Sequence, residues 1–224
     1  MPSFKLHIAR IRNCPPPEKV EAALKEFGLP ESEEYGVLNH SATETSVFAT
    51  VARRHQQAVE KLDPETAEVT SQPVERVNIY PFAVRPADEV LEVYAGAASA
   101  IEQVGAFLAG CLAMPTIVEA IELDVLDAIA RLAKNTQRFQ LRSVRVSDYA
   151  HNAYMAGVYA PKFLDTQHGL EFLEEYGEFL TAASVKFVVP GGRAGANLAP
   201  TASFSYSCSE DDQPTVQSIL RKLL

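Results

Sequence analysis

Several short segments of the chain alternate apolar residues with polar or small ones, and this alternation limits the possible folds more than any other feature. In SFKLHIARI, for example, Phe4, Leu6 and Ile8 fall on one side of an extended chain. Such strands build a sheet with one buried face and one face toward water, whereas a doubly wound parallel sheet requires nearly continuous apolar strands. Strands are predicted in SFKLHIARI, ETSVFATVA, VERVNIYPFAV, DEVLEVYA, TIVEAIEL, RFQLRSVRVS, AYMAGVYAPKF, ASVKFVV and TASFSYSC.

Amphipathic segments between these strands predict helices that cover the buried face of the sheet. Their expected ranges are about 17–27, 97–112, 125–134, 166–180 and the segment after residue 212, with a shorter helix over 53–63. Aspartate is a favoured N-cap residue, and the predicted side-chain caps are Asp124, Asp165 and Asp212. Residues 29–43 are predicted to form a polar loop.

The order of these elements predicts an α+β fold: one compact domain over residues 1–224, with a mostly antiparallel sheet and helices on one face. This layout resembles that of duplicated saddle folds of the TATA-binding type, in architecture alone and without a shared motif. A weak echo of the form [Leu/Ile]-x-[Glu/Gln]-apolar-Gly, which ends at Gly28, Gly105 and Gly177, also suggests pseudo-repeats of about 75 residues. The corresponding sub-units are 1–75, 76–150 and 151–224.

Composition narrows the functional classes. The 224 residues carry a formal net charge of −9, which disfavours non-specific contact with nucleic acid but does not exclude a local basic face. Three widely spaced cysteines, without a C-x-x-C pair, argue against a disulfide framework or a zinc site. The longest apolar region, around residues 93–118, is too interrupted to span a bilayer. We therefore expect a soluble, cytoplasmic protein without a membrane partner.

Candidate catalytic motifs are weak. The glycine-rich segment 190–200 lacks the Gly-Lys-Ser/Thr of a phosphate loop and precedes a strand, so it predicts a flexible hairpin tip. Asp148 and His151 lie in DYAHN, which is typical of a turn; an enzyme with a site near these residues and the 190–200 loop is the alternative from another functional class. The carboxylates near Glu119 do not converge as a metal site requires. The sequence predicts no cofactor and no metal.

A distributed pattern favours a binding function instead. If the bulky residues of each strand face the helices, the opposite face collects Lys, Arg, Ser and Thr residues, which are the groups that contact phosphates. The sequence thus predicts a non-catalytic binding or accessory module that contacts a polyanion, such as nucleic acid, or an acidic protein surface. A second alternative is a protein–protein interaction subunit with an apolar patch, and the oligomeric state is left open. The predicted binding residues are Arg138, Arg142, Lys162, Lys186 and Arg193.

Overall fold

The structure is a computed structural model that describes residues 1–28, 34–62, 64, 67, 69–112, 115–152 and 155–224, with only the backbone described for 148–152 and 155–156. The strands are β1 (Ser3–Arg12), β2 (Tyr35–Ala42), β3 (Val47–Leu62), β4 (Val69–Arg85), β5 (Val90–Val93), β6 (Ile117–Ala120), β7 (Gln137–Asn152), β8 (Met155–Tyr159), β9 (Leu180–Val189), β10 (Gly192–Leu198) and β11 (Ser203–Ser207). The helices are α1 (Pro17–Glu26), α2 (Ala100–Cys111), α3 (Val125–Asn135), α4 (Thr166–Tyr176) and α5 (Gln213–Arg221).

The chain forms two compact units. The central unit comprises Ile11–Val118, and the terminal unit combines Met1–Arg10 with Glu119–Leu224. Each unit contains an antiparallel sheet and helices, so the predicted α+β class is confirmed. The 75-residue repeat is not confirmed, because the three echoed glycines occupy unlike positions: after α1, inside α2 and at the end of α4.

In the central unit the strands are ordered β2-β3-β4-β5, and all neighbours are antiparallel. Val47 and Val51 point to the helix-covered face and are fully buried. The same face carries Tyr35, whose ring centroid lies 5.9 Å from that of Phe107 in α2. His40 lies there too, with its Nδ1 3.4 Å from Glu21 of α1. Both helices of this unit therefore pack on one side of its sheet.

In the terminal unit the order is β1-β11-β10-β9-β7-β8, again antiparallel. Helix α4 lies so close to β7 that a Cβ added at Gly169 would be 3.0 Å from Leu141. Helix α5 lies over β11, where Gln217 Nε2 donates a hydrogen bond of 2.8 Å to the buried Tyr206 hydroxyl. The helices cover the face that buries alternate residues of β9, and the opposite face stays exposed.

Four predictions of local secondary structure were wrong. Residues 53–62 form the outer half of β3 rather than a helix, because pairing with β4 continues without interruption to Leu62↔Val69 and overrides the helical propensity of these residues. The predicted loop over 29–43 contains β2, while residues 29–33 lie outside the described part. Most of the predicted hairpin tip at 190–200 is β10, since only Pro190 and Gly191 separate it from β9. The backbone of the predicted DYAHN turn continues β7.

Two of the three predicted helix caps are confirmed. The side chains of Asp124 and Asp165 accept hydrogen bonds of 3.0 Å from the backbone N–H groups of Asp127 and His168. Asp212 stands at the N-cap of α5, but its side chain does not cap that helix. Its carboxylate instead accepts hydrogen bonds from the Gly191 N–H and the Ser209 hydroxyl. This aspartate therefore holds a turn between two strands.

Candidate functional site

The exposed face of the terminal unit, which we call the basic face, consists of the side chains on β1, β7, β9, β10 and β11 that point away from the helices. Residues that pair in register share a face of the sheet, so one row across the strands can be read from the pairings. Gln140 pairs with Lys186, Lys186 with Gly195, and Gly195 with Ser207. A parallel row contains Ser184, Asn197, Ser205 and Lys5.

Three of the five predicted binding residues converge in a shallow pocket on this face. Arg138, Lys186 and Arg193 are exposed and line it together with the Gln140 amide. Its volume of about 40 Å³ is close to the space of one or two water molecules. It is far below the several hundred Å³ typical of organic-ligand sites. The pocket therefore suits the oxygens of one anionic group rather than a cofactor.

Backbone geometry brings Arg138 to this pocket. The pairing of β7 with β9 shifts between Gln137 and Gln140, and Arg138 adopts a φ of 50° within this irregularity. A left-handed conformation is uncommon for a residue with a long side chain, and such strained residues concentrate at functional sites. The bulge also bends the strand and changes the direction of its side chains.

The other two predicted binding residues lie elsewhere on the same unit. Lys162 is exposed and forms an isolated bridge with Ser143, which pairs with Ser184 of the basic face. Arg142 is the extra residue of a second irregularity in β7, between Leu141 and Ser143, and it is also exposed. Neither lines the pocket. They are additional cations beside it rather than part of it.

One cation of the basic face was missed by sequence reasoning. Arg145 is exposed and pairs with Ala182, which has the same strand parity as Ser184 and Lys186. Simple alternation from Gln140 places Arg145 on the helix side. Arg142 is an extra residue in the pairing with β9, so the residues after it face the opposite side from the one that simple alternation predicts. No residue type in RFQLRSVRVS indicates such an irregularity.

Charge is separated across the terminal unit. The strand positions of the basic face that the structure describes include no carboxylate. Among the described residues, no carboxylate forms an ion pair with the three cations of the pocket. The opposite side exposes four glutamates in and just after α4. These are Glu171, Glu174, Glu175 and Glu178.

The hydroxyl groups at the β1 end of the basic face already have partners. Lys5 Nζ donates to Ser205 Oγ, and His7 Nδ1 lies 2.8 Å from Ser203 Oγ. The centre of the face is more open, because Gly195 has no side chain between Lys186 and Ser207. A glycine inside a strand often marks a place where a ligand or another backbone approaches closely.

The described residues offer little for catalysis. Burial raises the pKa values of Cys14 and Cys111 to about 11, so neither thiol is an activated nucleophile. No group of three or more metal-ligating side chains occurs within the described ranges. The side chains of Asp148 and His151 lie outside the described residues. No helix among the described residues is long and apolar enough to cross a membrane.

A larger pocket of about 280 Å³ lies in the central unit. It is mostly apolar, and the carboxylate at its rim, Glu34, already forms an ion pair of 2.6 Å with Arg53. This pocket therefore presents no acid–base pair for a reaction. Its lining consists of Phe27, Glu34, Tyr35, Ala106, Phe107 and Gly110.

Comparison with known proteins adds no family: no protein-family model matches the chain, and a search of curated proteins finds no match either.

Proposed function

We propose that the chain is a binding module whose basic face holds the phosphate backbone of a nucleic acid. The observation that supports this proposal is the convergence of Arg138, Lys186 and Arg193 in one pocket on a face whose described strand positions carry no carboxylate. Arginine and lysine are the main protein contacts to phosphate oxygens, and amide and hydroxyl groups supplement them. Gln140 and Asn197 supply such amides here.

Binding of this kind is independent of base sequence. Phosphate contacts set the affinity and the position of the protein, whereas base contacts set the sequence preference. No aromatic ring lies among the paired basic-face residues of β9, β10 and β11, so this part of the face lacks a platform for base stacking. The face is therefore a backbone-binding surface, and its affinity falls steeply with salt as counterions are displaced.

Fluorescence anisotropy with labelled single-stranded and duplex oligonucleotides tests the proposal. The variant Arg138→Ala/Lys186→Ala/Arg193→Ala removes the three pocket cations. The matched control, Arg131→Ala/Lys134→Ala/Lys222→Ala, removes the same charge from exposed positions in and beside the helices of this unit. The wild type and the control should bind at about 50 mM salt, and the pocket variant should lose most of this affinity.

The salt dependence separates phosphate contacts from general attraction. Each contact contributes a slope of roughly −0.9 in log K against log salt for duplex DNA and roughly −0.7 for single strands. The pocket variant should therefore have a slope smaller in magnitude by about two to three. Absence of wild-type binding, or equal losses in the two triple variants, would contradict the proposal. Binding to polyglutamate but to neither nucleic acid would replace it with an acidic protein partner.

A further inference from the structure

The longest hairpin within the described residues projects beyond the rest of its sheet. Strands β3 and β4 pair continuously from Val47↔Val84 to Leu62↔Val69, but β2 pairs with β3 only as far as Arg53. We call the part from the Ala52↔Ile79 pair to the Leu62↔Val69 pair the arm; its first two rungs still border β2, and the rest is two-stranded. Its ten steps extend about 33 Å. A two-stranded ribbon is marginally stable alone in water, so an arm of this length gains stability from a partner.

The most exposed apolar residues of the arm lie on one of its two faces. Pairs in register share a face, and the exposed residues Leu62, Val69, Val77 and Ile79 all fall on the same one. Their exposures range from 50% to 61%, which is high for residues of this size. The opposite face bears mostly polar residues, among them Arg76 and Lys61. A concentration of exposed apolar side chains on one face marks an interaction surface.

The order of residues along this face is self-complementary. Exposed apolar residues lie at both ends: Leu62 and Val69 at the tip, and Ile79 at the base, where its partner Ala52 is already buried. Between them, Arg54 follows the base and Glu60 precedes the tip. The polar pair of Gln56 and Glu75 lies nearer the centre, where Glu75 is 4.0 Å from Arg54 of the same chain. When two arms pack antiparallel about a two-fold axis, the tip of one arm covers the base of the other. Arg54 of each arm then meets Glu60 of its partner.

We propose that the arm is a dimerisation element that packs on the same arm of a second copy of this chain. Isologous interfaces require such a self-complementary pattern, because each patch meets its own copy. Arg54 and Glu60 supply the charge complementarity, and the exposed side chains of Ile79, Leu62 and Val69 at the two ends supply the buried area. The proposal is independent of nucleic-acid binding, since the arm belongs to the central unit and the basic face to the terminal unit.

Reciprocal charge reversal tests this arrangement. Arg54→Glu places like charges together at two symmetric contacts, and so does Glu60→Arg. Each single variant should raise the dimer dissociation constant by roughly a hundredfold, because apposed like charges cost several kcal/mol. An equimolar mixture of the two variants should form heterodimers, since both contacts are then Glu–Arg. The double variant Arg54→Glu/Glu60→Arg should dimerise again by itself.

Sedimentation velocity over a range of protein concentrations measures these outcomes. Arg76→Glu is the control, because it reverses an exposed charge on the other face of the arm and should leave the dimer intact. Recovery of the dimer in the double variant also separates dimerisation from folding. Arg54→Glu removes the intrachain contact with Glu75 in both the single and the double variant, so only the loss of the intermolecular contact differs between them. A wild type that stays monomeric at all concentrations, or failure of both the mixture and the double variant to dimerise, would overturn the proposal.

Discussion

The carboxylate of Asp212 accepts a hydrogen bond of 3.0 Å from the backbone N–H of Gly191, which lies 21 residues earlier in the chain. The same carboxylate accepts a hydrogen bond of 2.6 Å from Ser209. Asp212 is 5% exposed, so these donors rather than bulk water satisfy its carboxylate oxygens. A single side chain thereby holds the turn that leads into β10 and the basic face.

Replacing Asp212 should destabilise the protein. Asp212→Ala removes the acceptor for two donors in a buried setting, and we expect a loss of about 1–3 kcal/mol in the free energy of unfolding. Urea denaturation measures this loss. Asp211→Ala, at the exposed neighbouring position, should change stability by less than about 0.5 kcal/mol.

The double variant Gly191→Ala/Asp212→Ala shows whether the two residues stabilise the protein through the same contact. A Cβ at Gly191 would lie 2.4 Å from the Asp212 carboxylate, so Gly191→Ala forces that carboxylate out of place. The losses from Gly191→Ala and Asp212→Ala should therefore not add, because both break the same contact. Additive losses would show that the two residues act independently.

Glu92 should be essential for the stability of the central unit. It is fully buried and accepts a hydrogen bond of 2.5 Å from the Tyr94 hydroxyl, while Arg85 Nε lies 3.6 Å from its other oxygen. Glu92→Ala leaves the Arg85 charge without this partner, which typically costs about 3–5 kcal/mol. Chemical denaturation measures the loss. Glu44→Ala, at an exposed position, is the control, and equal stability of the two variants would contradict the prediction.

The cysteines should be unreactive in the folded protein. With pKa values of about 11, Cys14 and Cys111 are thiolates to about 0.1% at pH 8, against about a quarter for an ordinary thiol of pKa 8.5. Burial also raises the pKa of the Cys208 thiol. Labelling with a thiol-specific disulfide reagent should thus be slow in buffer and rapid in urea. Rapid reaction of one equivalent in native buffer would contradict this expectation.

Alternation predicted the core faces of the sheet well, because burial on one side imposes a period of two on each strand. It predicted Lys5, Gln140 and Lys186 on the same face of the sheet, and the observed strand pairings place them there. It failed where the period breaks. An irregularity in pairing depends on how two strands meet, so no local residue pattern in β7 reveals it.

The long hairpin illustrates a second limit. Residues 53–62 contain Gln, Ala, Glu, Lys and Leu, which have good helical propensity. Their strand structure comes from pairing with β4, a partner ahead in the chain whose register the local sequence does not specify. The strand Gly192–Leu198 was not predicted for a similar reason. Its run Ala194-Gly195-Ala196 indicates a loop as long as the pairing with β9 and β11 is unknown.

Arg145 provides a test of the reversed parity in β7. Because the strand register places Arg145 on the basic face, Arg145→Ala should weaken nucleic-acid binding about as much as Lys186→Ala. It should also reduce the magnitude of the salt slope by about one. Anisotropy titrations at several salt concentrations measure both effects. A slope that stays at the wild-type value for Arg145→Ala but falls for Lys186→Ala would place Arg145 outside the contact.

The first turn of α4 should make stability depend on pH in two ranges. Backbone and side-chain hydrogen bonds from His168 lower the pKa of Asp165, and the Asp165 carboxylate, 2.6 Å from His168 Nδ1, raises the pKa of that imidazole. The contribution of Asp165 to the free energy of unfolding is fully present above the ordinary aspartate pKa and is lost as pH falls through the lowered pKa. The histidine contribution is present below its ordinary pKa and is lost as pH rises through the raised value.

Two variants separate these ranges. His168→Ala retains the backbone N–H that Asp165 caps, so the wild-type advantage in the neutral range should vanish while the acidic loss remains. Asp165→Asn retains a good N-cap acceptor without the charge, so the acidic dependence should disappear and the neutral-range dependence should shrink to the part that Glu171 causes. Free energies of unfolding measured from acidic to alkaline pH distinguish these results. An unchanged neutral-range profile in His168→Ala would show that the imidazole does not interact with Asp165 in solution.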